Sequence, residues 1–407
     1  MPLISFMESN PDGVQQLTIA QIVAMSGDGK LREGSDAQRE LREFLTIAST
    51  GQLSTYATQC LEESFTKSGQ VLQDVVNELG RRLEYEVVNG RYQGGQNMVG
   101  YDGIWRDPSG QDLVVEVKTT DAYRLALDTV AGYRDRLLAS GEITTPCSIL
   151  IVVGREDTGE LEAQVRGSRH AWDIRIIGVA SLLKLVEIKE SAERQETAEV
   201  IRRLLTPVEY TRVDQLIDVV FATTQDVEAA VAAESGVHDE SDDQEGEARG
   251  PKQLIPRELI NETRARAIAA VENRLGVSLV KRTRALYWDP SKRYRVACTV
   301  SRMYGDYGSG GFWYAYHLPW HEFLLGGDEA RLVLGCVGLG IAFVLPLSVV
   351  TEHLDHFNTT VKPDGSGHNY HLRVLESTPG VYELRLSKLG STLPLADYAV
   401  GLPPAKV

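Results

Sequence analysis

The chain has 407 residues, enough for two or three domains rather than one. With 43% hydrophobic and 24% charged residues it has the make-up of a water-borne globular protein, and no run approaches the roughly 20 apolar residues that span a bilayer. The net charge of −15 argues against a general nucleic-acid binder, whose surface is ordinarily basic, although a local field can override the total.

The N-terminal stretch MPLISFMESNPDG has neither a basic start nor an apolar segment of signal-peptide length. Four dispersed cysteines without a CxxC pair exclude a disulfide frame and a thiolate zinc site and predict a reducing, cytoplasmic setting with no membrane partner.

Residues 1–60 read as a helical N-terminal region. TIAQIVAM and DAQRELREFLTIA place apolar residues at helical spacing, with Thr18 and Asp36 near their starts and the loop SGDGKLREGS between them. Residues 61–190 follow another rhythm. SGQVLQDVVNELGRRL is an amphipathic helix, YEVVNG a short strand, and VGYDGIW and DLVVEVK two strands joined by RDPSGQ. Proline and glycine at the second and fourth places of Asp107-Pro108-Ser109-Gly110 predict a type I turn, hence a hairpin. DAYRLALDTVAGYRDRLLASG is a helix that Asp121 could cap, CSILIVVG a buried strand, DIRIIG another strand and VASLLKLVEIKE a closing helix. The order helix, three strands, helix, strand, strand, helix predicts an α/β layer on a mixed sheet.

Residues 191–233 read as a helical extension, with helices in AEVIRRLL and VDQLIDVVFATT. Residues 234–252 hold seven acids and almost no apolar residue, too little to offset the entropy of ordering, and read as an acidic disordered linker. Residues 253–407 form a separate C-terminal recognition or sensor domain, α+β or mostly β, opened by the helix RELINETRARAIAAVENRLG.

The chemistry concentrates in GYDGIWRDPSGQDLVVEVKTT, residues 100–120. Side chains alternate along a strand, so Leu113, Val115 and Val117 share one face, and Val114, Glu116 and Lys118 the other. A carboxylate and an ammonium on a covered strand need a reason. A solvent-facing ion pair is one. The other adds Asp102, across the hairpin ladder from Glu116. Two carboxylates at a strand end make a hard-oxygen site for Mg²⁺, with the Val117 carbonyl as a third ligand and Lys118 placed to orient water.

Gly100-Tyr101-Asp102 followed by Glu116-Val117-Lys118 resembles the PD-(D/E)XK motif of restriction-endonuclease-like nucleases, with Asp102, Glu116 and Lys118 on the motif's two acids and lysine. The resemblance covers about residues 66–190. It implies that family's core of a mixed sheet flanked by helices, and a Mg²⁺-dependent endonuclease, with Mn²⁺ as an alternative ion. The substrate would be DNA, in the manner of prokaryotic restriction or anti-phage defence enzymes. Tyr101 stands where the motif has proline. Gln73 stands where the first helix often supplies glutamate, as in the glutamine variants of the Mrr-like branch. It could assist through its carbonyl oxygen but brings no charge.

Thr119, Thr120, Tyr123 and Arg124 follow the lysine and suit phosphate at a helix start as well as they suit ordinary capping. Arg293, Arg295 and Arg302 lie among aromatic residues in SKRYRVACTVSRMYGDYGSGGFWYAYHLPW, a mixture used by nucleic-acid surfaces or aromatic cages. Alternation instead makes Phe312, Tyr314 and Tyr316 a core face. The expected partners are DNA, a second copy of the chain, and a small-molecule or protein activator acting through the C-terminal domain. The competing class is an inactive nuclease-fold binding or scaffold protein.

Overall fold

A computed structural model describes residues 2–404 apart from 15, 64, 93–99, 120–124, 155–158, 193, 195, 207–255, 305–309 and 362–367. The predicted linker, the helix in VDQLIDVVFATT, and Thr120, Asp121, Tyr123 and Arg124 fall outside the described residues. The chain divides into two compact units, Met1–Thr224 and Gln225–Val407.

The first unit opens with five helices: α1 (Pro2–Ser9), α2 (Pro11–Val14), α3 (Ile19–Met25), α4 (Asp36–Ile47) and α5 (Thr50–Glu62). Thr18 and Gln21 form a reciprocal capping box at α3, and Ser49 and Gln52 do the same at α5. Ser35, not Asp36, caps α4. These helices are not a separate body. Leu41, Phe44, Leu53 and Tyr56 share one core with the sheet-facing side of α6 (Ser68–Arg82) and with Trp105, Leu113, Val115, Leu150 and Val152 of the sheet.

The sheet has the order β1-β2-β3-β4-β5, from β1 (Glu86–Asn89), β2 (Gly103–Arg106), β3 (Asp112–Lys118), β4 (Cys147–Val153) and β5 (Ile174–Gly178). The first three strands pair antiparallel and the last three parallel, so the sheet is mixed. The Gly110 amide donates to the Asp107 carbonyl at 2.8 Å and closes the predicted turn. On the far face lie α7 (Leu127–Ser140) and α8 (Gly159–Arg166), against Ile104, Val114, Ile149, Ile151 and Ile174. Helices α9 (Val179–Ser191) and α10 (Thr197–Leu205) return to the α6 side. The result is a helix–sheet–helix stack, an α/β domain with a mixed sheet.

Three features differ from the sequence reading. Helix α8 stands between β4 and β5, where two consecutive strands were expected; only Leu161 and Val165 of its eight residues are buried, too short an apolar pattern to register. Strand β2 starts at Gly103, so Asp102 lies one residue before the strand. The face of β3 that carries Glu116 is covered by helices and is not a solvent surface.

The second unit layers a helix on two sheets. Helix α11 (Arg257–Leu275) packs Ala267, Ile268 and Val271 on Val296, Cys298, Val333 and Val344. Those residues belong to a sheet ordered β17-β12-β11-β8-β7-β6. Its strands are β6 (Val280–Lys281), β7 (Leu286–Trp288), β8 (Tyr294–Ser301), β11 (Glu329–Cys336), β12 (Ile341–Pro346) and β17 (Ala399–Gly401). Its other face meets the sheet β16-β15-β14-β10-β9, with β13 beside β14. That sheet is built from β9 (Met303–Tyr304), β10 (Gly311–His317), β13 (Asn358–Val361), β14 (His368–Thr378), β15 (Val381–Leu386) and β16 (Ser391–Pro394). Helices α12 (Leu318–Leu325) and α13 (Leu347–His353) contribute Phe323, Leu324 and Val350 to the core between the sheets. Phe312, Tyr314 and Tyr316 lie in that core, as alternation required.

All four cysteines are free thiols; Cys60, Cys298 and Cys336 are buried and Cys147 is half-buried. Among the described residues no helix is long and apolar enough to cross a membrane.

Candidate active site at the end of β3

The register Gly103↔Val115 carries the ladder outward so that Asp102 stands opposite Glu116. The Asp102 amide donates to the Val115 carbonyl at 3.0 Å, and its Oδ2 accepts the Val117 amide at 2.7 Å. Lys118 Nζ donates to Glu116 Oε1 at 2.5 Å. Asp102, Glu116 and Lys118 therefore meet at the carboxyl end of β3. The Glu116 side chain is 12% exposed and that of Lys118 32%, so the acid is sheltered while the ammonium reaches solvent.

Two carboxylates and one ammonium leave the group net negative. Asp102 answers by holding its proton: burial, and then the Glu116 charge, push its pKa up to about 7, against the opposing pull of the Val117 amide and of Lys118. A pair of oxygen acids short of one cation fits a hard divalent ion such as Mg²⁺. Among the described residues no cluster of three or more His, Cys, Asp and Glu side chains could hold a metal. A divalent ion placed there would have Asp102 and Glu116 as its only acidic donors among the described residues, with the Val117 carbonyl as a candidate main-chain oxygen.

What fixes Asp102 is its own carbonyl, which accepts three donors. Gln73 Nε2 lies at 3.0 Å, Asn77 Nδ2 at 2.8 Å and the Gly90 amide at 2.9 Å. Gln73 is thus buried at the site, but its amide nitrogen is spent on the Asp102 main chain rather than on a ligand. Asn77 was not singled out from the sequence. It sits one turn beyond Gln73 on the same face of α6 and also accepts Trp105 Nε1 at 3.0 Å. Gly90 and Gly103 make room: a Cβ on Gly90 would lie 2.0 Å from the Tyr101 carbonyl oxygen, and one on Gly103 would lie 2.2 Å from Asn77 Oδ1.

The other acids of α6 are engaged elsewhere. Asp74 pairs with Arg42 at 2.9 Å and accepts the Tyr92 hydroxyl, and Glu78 pairs with Arg82 at 3.0 Å. Thr119 follows β3 in a bend near the start of α6, where a Cβ on Gly69 would be 3.5 Å from its methyl. A cavity of about 680 Å³ runs along the edge strand β5, lined by Arg166, Trp172, Arg175 and Lys184 among others. Asp102, Glu116 and Lys118 do not line it, although its Gly154 amide donates to the Lys118 carbonyl at 2.9 Å.

In the second unit the three predicted arginines do not form one surface. Arg293 pairs with Asp328 at 2.8 Å, and Arg295 donates to the Phe323 carbonyl at 2.8 Å. Arg302, beyond the opposite end of β8, lies over the Tyr304 ring at 4.8 Å.

A scan of the chain against protein-family models and a search of curated proteins give no match. The fold and site together define an α/β protein whose mixed sheet presents an acid–acid–lysine group at the end of its central strand.

Proposed function

We infer that the chain is a Mg²⁺-dependent DNA endonuclease of the restriction or anti-phage defence type, acting in the cytoplasm, with Mn²⁺ as a substitute ion. The observation that carries this reading is the meeting of Asp102, Glu116 and Lys118 at one strand end, where two carboxylates face a single ammonium. The ion, when bound, would neutralise charge on the phosphorus oxygens and sharpen the attacking water. Asp102 and Glu116 would hold it with the Val117 carbonyl. Lys118, steered by Glu116, would orient the water and stabilise the negative charge that develops as the phosphodiester is attacked. Gln73 and Asn77 act as positioning residues, because both reach the reacting groups through the Asp102 main chain.

The test is cleavage of plasmid and phage DNA, modified and unmodified, with Mg²⁺ or Mn²⁺. Wild type should cut, and Lys118→Ala should not while keeping its melting temperature. A wild type inert on every substrate overturns the reading. It would favour a nuclease-fold binding protein, the alternative to which Gln73 points: its amide replaces the acid that the first helix often supplies and is committed to structure.

Backbone placement should matter as much as the charges. Gly90→Ala forces Cβ against the Asp102 main chain, 2.6 Å from its carbonyl carbon. Relief requires a backbone shift, so we expect a loss of about 1–3 kcal/mol in chemical denaturation. Cleavage should fall at least about tenfold, since small misplacements of reacting groups are costly.

A further inference from the structure

The outer face of the β10–β14 sheet gathers polar and aromatic side chains, some already tied together: His317 to Asn369 at 2.6 Å and His371 to Thr360 at 2.8 Å. Phe312, Tyr314, Tyr316, Tyr370, Leu372 and Val374 point into the core. Alternation leaves Trp313, His317, Asn369, His371 and Arg373 on the opposite face, half-buried or exposed. Across the strands Trp313 pairs with Arg373, and Arg373 with Arg385 of β15. On the edge strand Tyr304 pairs with Gly311, two residues before Trp313 on the same face, and is 37% exposed.

The arginine pair is the anomaly. Like charges directly opposite on neighbouring strands destabilise a sheet, with Cβ atoms about 5 Å apart. Among the described residues neither Arg373 nor Arg385 has an acidic partner; Glu383, on the same face of β15, stands opposite Leu375. Folding gains nothing from this placement, whereas an anion shared by two guanidinium groups makes it favourable. Beside the pair lies the Trp313 ring, edge-on to His371 at 5.2 Å. One row further is Tyr304, with the Arg302 guanidinium over it at 4.8 Å.

We propose that this face binds single-stranded nucleic acid, with Arg373 and Arg385 gripping a phosphate and Trp313 and Tyr304 stacking on flanking bases. Rings on an open sheet suit bases that are splayed out, and a duplex keeps its base faces hidden. An acidic peptide would match the arginines and leave the rings idle. The proposal goes beyond the nuclease reading and does not depend on it, because binding alone tests it.

The experiment is fluorescence anisotropy of the full chain with a labelled oligothymidylate in chelator, so that no cleavage enters. Wild type should bind, more weakly as salt rises. Arg373→Gln combined with Arg385→Gln should bind at least about tenfold more weakly, with a salt slope shallower by about 0.7, the one phosphate that the pair shares. Trp313→Ala should weaken binding about tenfold with the slope unchanged, the mark of a lost stack. Both arginines are exposed, and unchanged melting temperatures would confirm intact folding. Three results overturn the proposal: no oligonucleotide bound by wild type, variants that bind as wild type does, or duplex DNA or polyglutamate bound as tightly with the same dependence on the arginines.

Discussion

Asp102→Asn is expected to lower Mg²⁺-dependent cleavage by on the order of 10³-fold while making the ion-free protein more stable, not less. The two effects have one origin. The Asp102 carboxyl faces Glu116 in a sheltered position, and its pKa stands at about 7 against an ordinary 3.8. The folded chain therefore holds this proton more tightly than the unfolded chain does. Its contribution to stability is whole below the ordinary carboxylate range and is lost as pH rises through about 7. Held in full, that rise would be worth about 4 kcal/mol; with the residue half-buried and partly screened by solvent, the expected gain at pH 8 is about 1–3 kcal/mol. Asparagine can still accept the Val117 amide but carries no charge. The advantage of Asp102→Asn should therefore vanish near pH 4 and be full near pH 8. Thermal melts in chelator across that range measure it. Adding Mg²⁺ should raise the melting temperature of wild type and leave the variant where it was. A variant less stable than wild type at every pH would mean that the acid is a structural hydrogen-bond partner and nothing more.

Arg82→Met should cost about 3–5 kcal/mol in urea denaturation. Arg82 is 5% exposed and ties three segments together. It pairs with Glu78 at 3.0 Å and lies 3.8 Å from Glu190 of α9, which also accepts the Thr50 hydroxyl at 2.6 Å. It donates to the carbonyls of Thr46 and Ala48 at 3.2 and 2.6 Å, where α4 gives way to α5. Replacing it leaves the sheltered Glu78 with Arg81 alone, at 3.4 Å, leaves Glu190 with the Thr50 hydroxyl, and takes a donor from two carbonyls. Burial already pushes the Glu78 pKa up against the pull of Arg82 and Arg81, so the loss falls on a group with little reserve. Adding Glu78→Leu to Arg82→Met should recover part of the loss. A double variant weaker than the single one would show that Glu78 stabilises the fold without Arg82.

This network also marks what the sequence could not disclose. The helix of residues 68–83, the hairpin and its turn, and the meeting of Asp102 with Glu116 were legible, because periodicity and turn chemistry are local. So was the core role of Phe312, Tyr314 and Tyr316. The merging of α1–α5 with the sheet was not, since contacts such as Thr50–Glu190 join residues far apart in the chain. Asn77 and Gly90 escaped notice for the same reason. Their importance lies in a carbonyl they both address, and main-chain acceptors leave no trace in side-chain patterns. The pairing of Arg373 with Arg385 needed the register of β14 on β15, which a bulge between Glu376 and Thr378 shifts.

The sheltered thiols have a practical corollary. Burial pushes the pKa of Cys60, Cys147, Cys298 and Cys336 up to about 12, so at neutral pH almost none of their sulfur is in the nucleophilic form. An alkylating reagent should hardly touch the native chain and should label it only as each region opens. Because two cysteines fall in each unit, mass spectrometry of labelled peptides would time the opening of the two halves separately, in one tube and without any engineered tag.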